Sequence, residues 1–210
     1  KYVFKDQTIP KLVHRIDKDT SGLLLIANDQ INAKKLSIFF KEQKIIKTYL
    51  ALVSPSPKID SGFINLPILK KGGEGNQRMK VDYDKGKVSL TEYKVLDKVG
   101  SRVALLALSP KTGRTHQLRV HLEHINSPIV GDKKYKGLPG IYSSDSYLND
   151  HDSISQIKWS SENNNNLQLH AYSLRLPNNE IIEAELNEEF KNNIKFLGLI
   201  LPKDISKVFI

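Results

Sequence analysis

The sequence predicts an α+β fold, a central sheet flanked by helices, on three observations. Residues 45–53, IIKTYLALV, alternate as a strand does: Ile46, Thr48, Leu50 and Leu52 share one face, while Lys47, Tyr49 and Ala51 share the other. Residues 103–108 are apolar without interruption, as in a strand covered on both sides. Two other stretches, 30–44 and 117–125, carry the helical period instead.

Taken in order, the elements read as follows. LLLIA, residues 23–27, is a short apolar run expected to be a strand buried on both faces. Asp29 is the expected N-cap of the helix over 30–44, whose Leu36, Phe39 and Phe40 face inward with lysines opposite. The strand 45–53 follows. Residues 70–87 mix glycines with alternating charge and suggest a long mobile hairpin or loop. Residues 88–110 read as two strands joined near Gly100, the second running from Val103 to Leu108. KTGRTHQLRVHLEHI then turns into a helix with Leu118, Leu122 and Ile125 on one face. Residues 142–166 end in SSENNNN and form an expected polar surface insertion, too poor in apolar side chains to pack. LQLHAYSLRLP resumes strand alternation, EIIEAELNEEF supplies a strand and a helix start, and the final segment packs on the core.

Composition narrows the function. At 210 residues with 39% hydrophobic content the chain can bury a full core, as one large domain or two small ones. A formal net charge of +9 creates a field that attracts polyanions, nucleic acid above all, although a merely soluble basic protein carries the same charge. The absence of cysteine excludes disulfides, thiolate metal sites and cysteine nucleophiles within this sequence. No apolar run reaches membrane-spanning length, and residues 1–10 lack the apolar segment of a secretory signal, so a cytoplasmic location without membrane contact is expected.

Two clusters carry the chemistry. In HRIDKDTSG, residues 14–22, Asp17 stands among His14, Arg15 and Lys18. A carboxylate held among cations and shielded from water is a nucleophile or a base; equally, Asp17 could be one half of a structural ion pair, and Asp19 fits the turn better. The string differs from a kinase catalytic loop, where the acid follows the arginine directly, and no glycine-rich phosphate loop accompanies it. In TGRTHQLRVHLEH, residues 112–124, Thr112, Gly113 and Arg114 precede a helix whose free N–H groups favour anions. Arg119 can grip a carboxylate through two hydrogen bonds, or lie on the helix surface. His116, His121 and His124 do not share one face and form no HExxH pair, so structural hydrogen bonding or RNA contact is expected of them rather than metal binding.

LVHRIDKDTSGLLLIA, KTYLALV, SPKTGRTHQLRVHL, PIVGDKKYKG and LHAYSLRL, in that order and at those separations, resemble the RluA-type pseudouridine synthases, most closely the C and D branches of the ribosomal large-subunit synthases. The resemblance spans almost the whole chain. It implies a mixed, mainly antiparallel sheet split by a central active-site cleft, and isomerisation of uridines in RNA, with 23S ribosomal RNA as the expected partner and no cofactor or metal. It further implies that Asp17 is the catalytic carboxylate, that Arg119 pairs with it, and that Tyr49 stacks on the target ring and assists proton removal from C5. Arg15 would fill the stack that the uridine leaves, His14, Lys47, Arg114 and His116 would contact RNA, and Leu169 would line the pocket. Family members begin with a strand bearing an NKPAG-like segment, often after a small RNA-binding module. Residues 1–210 are therefore expected to be one catalytic domain that starts after both. The alternative is a catalytically idle RNA-binding or ribosome-assembly protein of the same fold.

Overall fold

The structure, a computed structural model, describes residues 9–73, 78–136 and 166–209. The polar tract expected over 142–166 lies outside these residues except for Asn166. Among the described residues, eleven strands and three α-helices follow one another: β1 (Lys11–Leu12), β2 (Ser21–Gly22), β3 (Ile26–Ala27), α1 (Gln30–Lys41), β4 (Ile46–Val53), β5 (Ser61–Asn65), β6 (Ile68–Lys71), β7 (Arg78–Val81), β8 (Leu90–Val99), β9 (Val103–Pro110), α2 (Gln117–His124), β10 (Leu169–Arg175), β11 (Ile181–Glu183) and α3 (Glu188–Phe196).

The main sheet runs β11-β10-β4-β9-β8-β5. Every neighbouring pair in it is antiparallel, and β2 adds a short parallel pairing to the start of β10. Side chains of β4 and β9 alternate between two cores. Leu50, Leu52, Val103, Leu105 and Ala107 pack with Phe190 and Ile194 of α3. Ala51, Val53, Ala104, Leu106 and Leu108 pack with Leu118 and Leu122 of α2. The eight residues of β9 are all buried, as its unbroken apolar run requires. The α2 side is the face that carries the site.

The helices begin and end where local chemistry dictates. Asp29 caps α1 by accepting from the Asn32 N–H at 2.7 Å. The helix stops at Lys41, short of the expected residue 44, because Gln43 turns left-handed (φ 57°) and the Lys44 N–H reaches back to the Phe39 carbonyl at 2.9 Å. Asn187 caps α3 in the same way, accepting from the Phe190 N–H at 2.8 Å.

One expectation is corrected. LLLIA is not a strand covered on both faces: only Ile26 and Ala27 pair, with Leu12 and Lys11, while Leu24 and Ile26 are 39% and 41% exposed. The chain here crosses from the edge of β10 to a separate two-stranded ribbon, so one side of the run has no layer above it. The stretch 70–87 forms much of a hairpin, β6 with β7 in register from Ile68–Val81 to Lys71–Arg78, beside α2. That hairpin lies along α2, where Val120 is buried with Ile68 and Tyr135 against Met79 and Val81.

Candidate active site

The Asp17 loop is tied down on both sides. Its turn closes through the Thr20 N–H, which donates to the Asp17 carbonyl at 3.0 Å. The imidazole of His14 accepts from the Leu25 N–H at 2.8 Å and stacks on Phe40 at 4.5 Å between ring centres. Burial, with the charge of Lys47, pushes the His14 pKa down to about 4, so the ring is a neutral acceptor. Beyond the turn, Gly22 lies flat against β10 with φ +101°; a β-carbon there would fall 2.2 Å from the Ala171 carbonyl oxygen. The Leu23 N–H then donates to that same carbonyl at 2.8 Å.

This loop forms one wall of a cleft of about 440 Å³ at the middle of the sheet. Asp17, Arg15 and His14 line it from the loop, Lys47 and Tyr49 from β4, Leu169 from β10, and Arg114 and His116 from the segment before α2. Arg119 lies beneath, 5% exposed, with Nη1 4.0 Å from Asp17 Oδ2. The nine residues that the resemblance assigns to the site thus meet at one place, although they come from four separated parts of the chain. The β4 alternation explains the choice of Tyr49 over Leu50: odd-numbered side chains face α2 and the cleft.

Electrostatics differ from residue to residue. Burial, reinforced by the Asp17 charge, pushes the Tyr49 phenol well above its usual range and keeps it protonated. Burial and the nearby Lys111 lower the Lys47 ammonium to about 8. Arg15 and Arg114 are exposed at the rim, where their charge faces any approaching anion. The Arg114 loop is held by Gln117, whose amide oxygen accepts from the Arg114 N–H at 3.0 Å and the Thr112 hydroxyl at 2.6 Å, and whose NH₂ donates to the Leu90 carbonyl. His116 takes a left-handed backbone (φ 52°) at the start of α2, with Nδ1 2.7 Å from the Tyr135 hydroxyl. That hydroxyl also accepts from the Met79 N–H at 2.9 Å. His121 is fully buried between Thr91 and the Leu66 carbonyl. Among the described residues no group of three or more His, Asp or Glu could hold a metal ion, and no helix is long and apolar enough to cross a membrane.

One partner in the site's charge network escaped the sequence. Arg119 makes its two-pronged carboxylate pair with Asp132, Nε to Oδ2 at 2.7 Å and Nη2 to Oδ1 at 2.8 Å, rather than with Asp17. The only signal was Asp132 itself, an acid directly after a glycine in PIVGDKKYKG, and no periodicity links it to Arg119.

A family profile described as RNA pseudouridylate synthase matches residues 3–124, more than half of the chain. The chain belongs to that family. It is similar to ribosomal large subunit pseudouridine synthase C of Buchnera aphidicola subsp. Baizongia pistaciae, 38% identical over 192 residues, which cover 89% of this chain and 56% of the relative. It is similar also to synthase C of Rickettsia typhi, 42% identical over 125 residues (60% of this chain, 41% of the relative), and to synthase D of Borreliella burgdorferi, 41% identical over 138 residues (65% and 42%). Over these matches the chain spans roughly half the length of its curated relatives, from 41% to 56%. Among solved structures, human RNA pseudouridylate synthase domain containing 4 superposes with a TM-score of 0.71 at 28% identity, covering 92% of this chain and 77% of that one.

Proposed function

We propose that the chain converts specific uridines in RNA to pseudouridine through Asp17, that its substrate is large-subunit ribosomal RNA, 23S in a bacterial ribosome, and that it acts in the cytoplasm as one catalytic domain. The observation that carries this reading is the cleft: a carboxylate and a phenol line it under a rim of positive charge, with a buried guanidinium directly beneath. The printed names of the C and D relatives support the choice of ribosomal RNA.

The chemistry is an exchange within one nucleotide. The bond from the sugar C1′ to N1 breaks, the uracil turns, and C1′ joins C5; C5 loses a proton and N1 gains one, so the composition of the RNA is unchanged. Nothing in that balance calls for a cofactor. A base buried in a stem is unreachable until it flips out, at a cost of about a few kcal/mol. Arg15 at the rim offsets that cost by stacking in the gap, while Arg114 and Lys47 hold phosphates. Tyr49 offers its ring face to the uracil and, being protonated, a hydroxyl that relays the C5 proton rather than a phenolate that takes it. Asp17 acts on the sugar or its base as nucleophile or general base, and Arg119 below it balances the charge.

The test is a cellular one. The gene is expressed in a strain lacking the corresponding enzyme, with and without Asp17→Asn, and pseudouridine is mapped across ribosomal RNA by carbodiimide-dependent primer stops. New stops that vanish with Asp17→Asn are expected. No Asp17-dependent stop, together with undiminished retention of ribosomal RNA, would make the chain a binding protein instead.

A further inference from the structure

We infer that His170 is a positioning residue for the proposed isomerisation: from the far side of the sheet it pins, through Ser21, the loop that presents Asp17. The inference rests on the reading of the cleft given above. Neighbouring residues of a strand face opposite ways, and β10 uses both faces. Leu169 lines the cleft, whereas His170, opposite Leu50 in the register, points to the α3 side with its ring 6.2 Å from that of Phe190. Its Nδ1 lies 2.8 Å from Ser21 Oγ, a contact between residues 149 apart in the chain. The ring is 1% exposed and burial lowers its pKa, so it is a neutral partner fixed by its surroundings.

Ser21 is joined closely to the acid it serves. The Thr20 N–H closes the turn on the Asp17 carbonyl, and Ser21 is the next residue. Ser21 pairs with His170, and Gly22 with Ala171, in the short parallel ladder of β2 with β10. Its hydroxyl oxygen also accepts from Asn187 Nδ2 at 3.1 Å, and Oδ1 of the same Asn187 caps α3. Among the described residues from 15 to 24, no other side chain hydrogen-bonds to the main sheet or to α3. One hydroxyl thus gathers the Asp17 loop, the strand that lines the cleft and a helix cap. A buried nitrogen stripped of its hydrogen-bond partner costs more than the bond itself contributes, so the pair favours this loop position over its neighbours.

The experiment is single-turnover isomerisation of ribosomal RNA by the full chain in excess, with RNA retention and thermal unfolding measured in parallel. Ser21→Ala and His170→Leu each remove one side of the contact, and neither residue lines the cleft. Each should lower the rate about 100-fold with retention unchanged, the cost of a catalytic group displaced by about 1 Å. Ser21 is half-buried, so Ser21→Ala guards against a variant that simply fails to fold. The double variant should be no slower than the slower single one, because both break the same contact. His170→Asn, whose amide reaches the place of Nδ1, should recover about tenfold or more of the rate lost by His170→Leu. A merely stabilising contact would lower the unfolding temperature and leave the rate of the folded enzyme alone. Native rates in folded Ser21→Ala and His170→Leu, single losses that multiply in the double variant, or no recovery in His170→Asn would overturn the inference. If the native chain shows no Asp17-dependent conversion, the reading of the cleft fails first and this inference falls with it.

Discussion

The protonation of single side chains decides how the cleft works. Tyr49 is held as a neutral phenol by burial and by Asp17, so its ring and its hydroxyl have separable uses. Tyr49→Phe should retain RNA as the native chain does yet isomerise about 100-fold more slowly or worse, measured at saturating enzyme, because stacking survives while the proton relay is lost. His14 and His121 both have pKa values lowered to about 4 by burial. An imidazole with a depressed folded pKa takes up its proton in the unfolded chain first. The stability it contributes is complete above pH 6.5 and is lost as the pH falls toward 4. Thermal unfolding should therefore shift downward across that window, and His14→Gln, which keeps an acceptor for the Leu25 N–H without titrating, should flatten the dependence. An unchanged slope in His14→Gln would contradict this. At this scale the sequence was informative about type and poor about partner. Asp17, Tyr49 and Leu169 stand out through motif and strand alternation, but nothing local tells that Arg119 spends its fork on Asp132, thirteen residues on and outside any regular element.

Strands and helices position these groups through a few close backbone approaches. Gly22 against β10 and Gly131 against the Asn166 carbonyl admit no side chain. Gly22→Ala should cost about 2 kcal/mol or more in chemical unfolding, from backbone strain plus the clash, and should lower activity by displacing the Asp17 loop. Regular elements were legible where one period persisted: β4, β8, β9, β10, α1 and α2 all occur where alternation or helical spacing calls for them, while of α3 only the start was legible. The failure at LLLIA has a physical reason. An apolar run reports that a segment is hydrophobic, not that a layer exists on both sides of it, and the two-residue pairings at β2 and β3 depend on distant partners, β10 and β1. The left-handed stop at Gln43 was likewise invisible, since glutamine is not a residue that announces it.

The described residues build a main sheet with a core on each side, and the cleft with its cationic rim belongs to one of those sides. RNA retention should weaken steeply with salt, and Arg114→Gln or Lys47→Gln should each reduce the slope of log affinity against log salt by about 0.7 to 0.9, one phosphate contact apiece. A slope indifferent to both would move the RNA path elsewhere. Isomerisation in this cleft requires the C5 proton of uridine to leave under the control of Asp17. Ribosomal RNA labelled with tritium at uridine C5, incubated with excess enzyme, tests this directly by release of label to water. Release that plateaus at a fixed number of sites and is abolished by Asp17→Asn is the expected result; label retained by the wild-type chain, or released equally by Asp17→Asn, would contradict it.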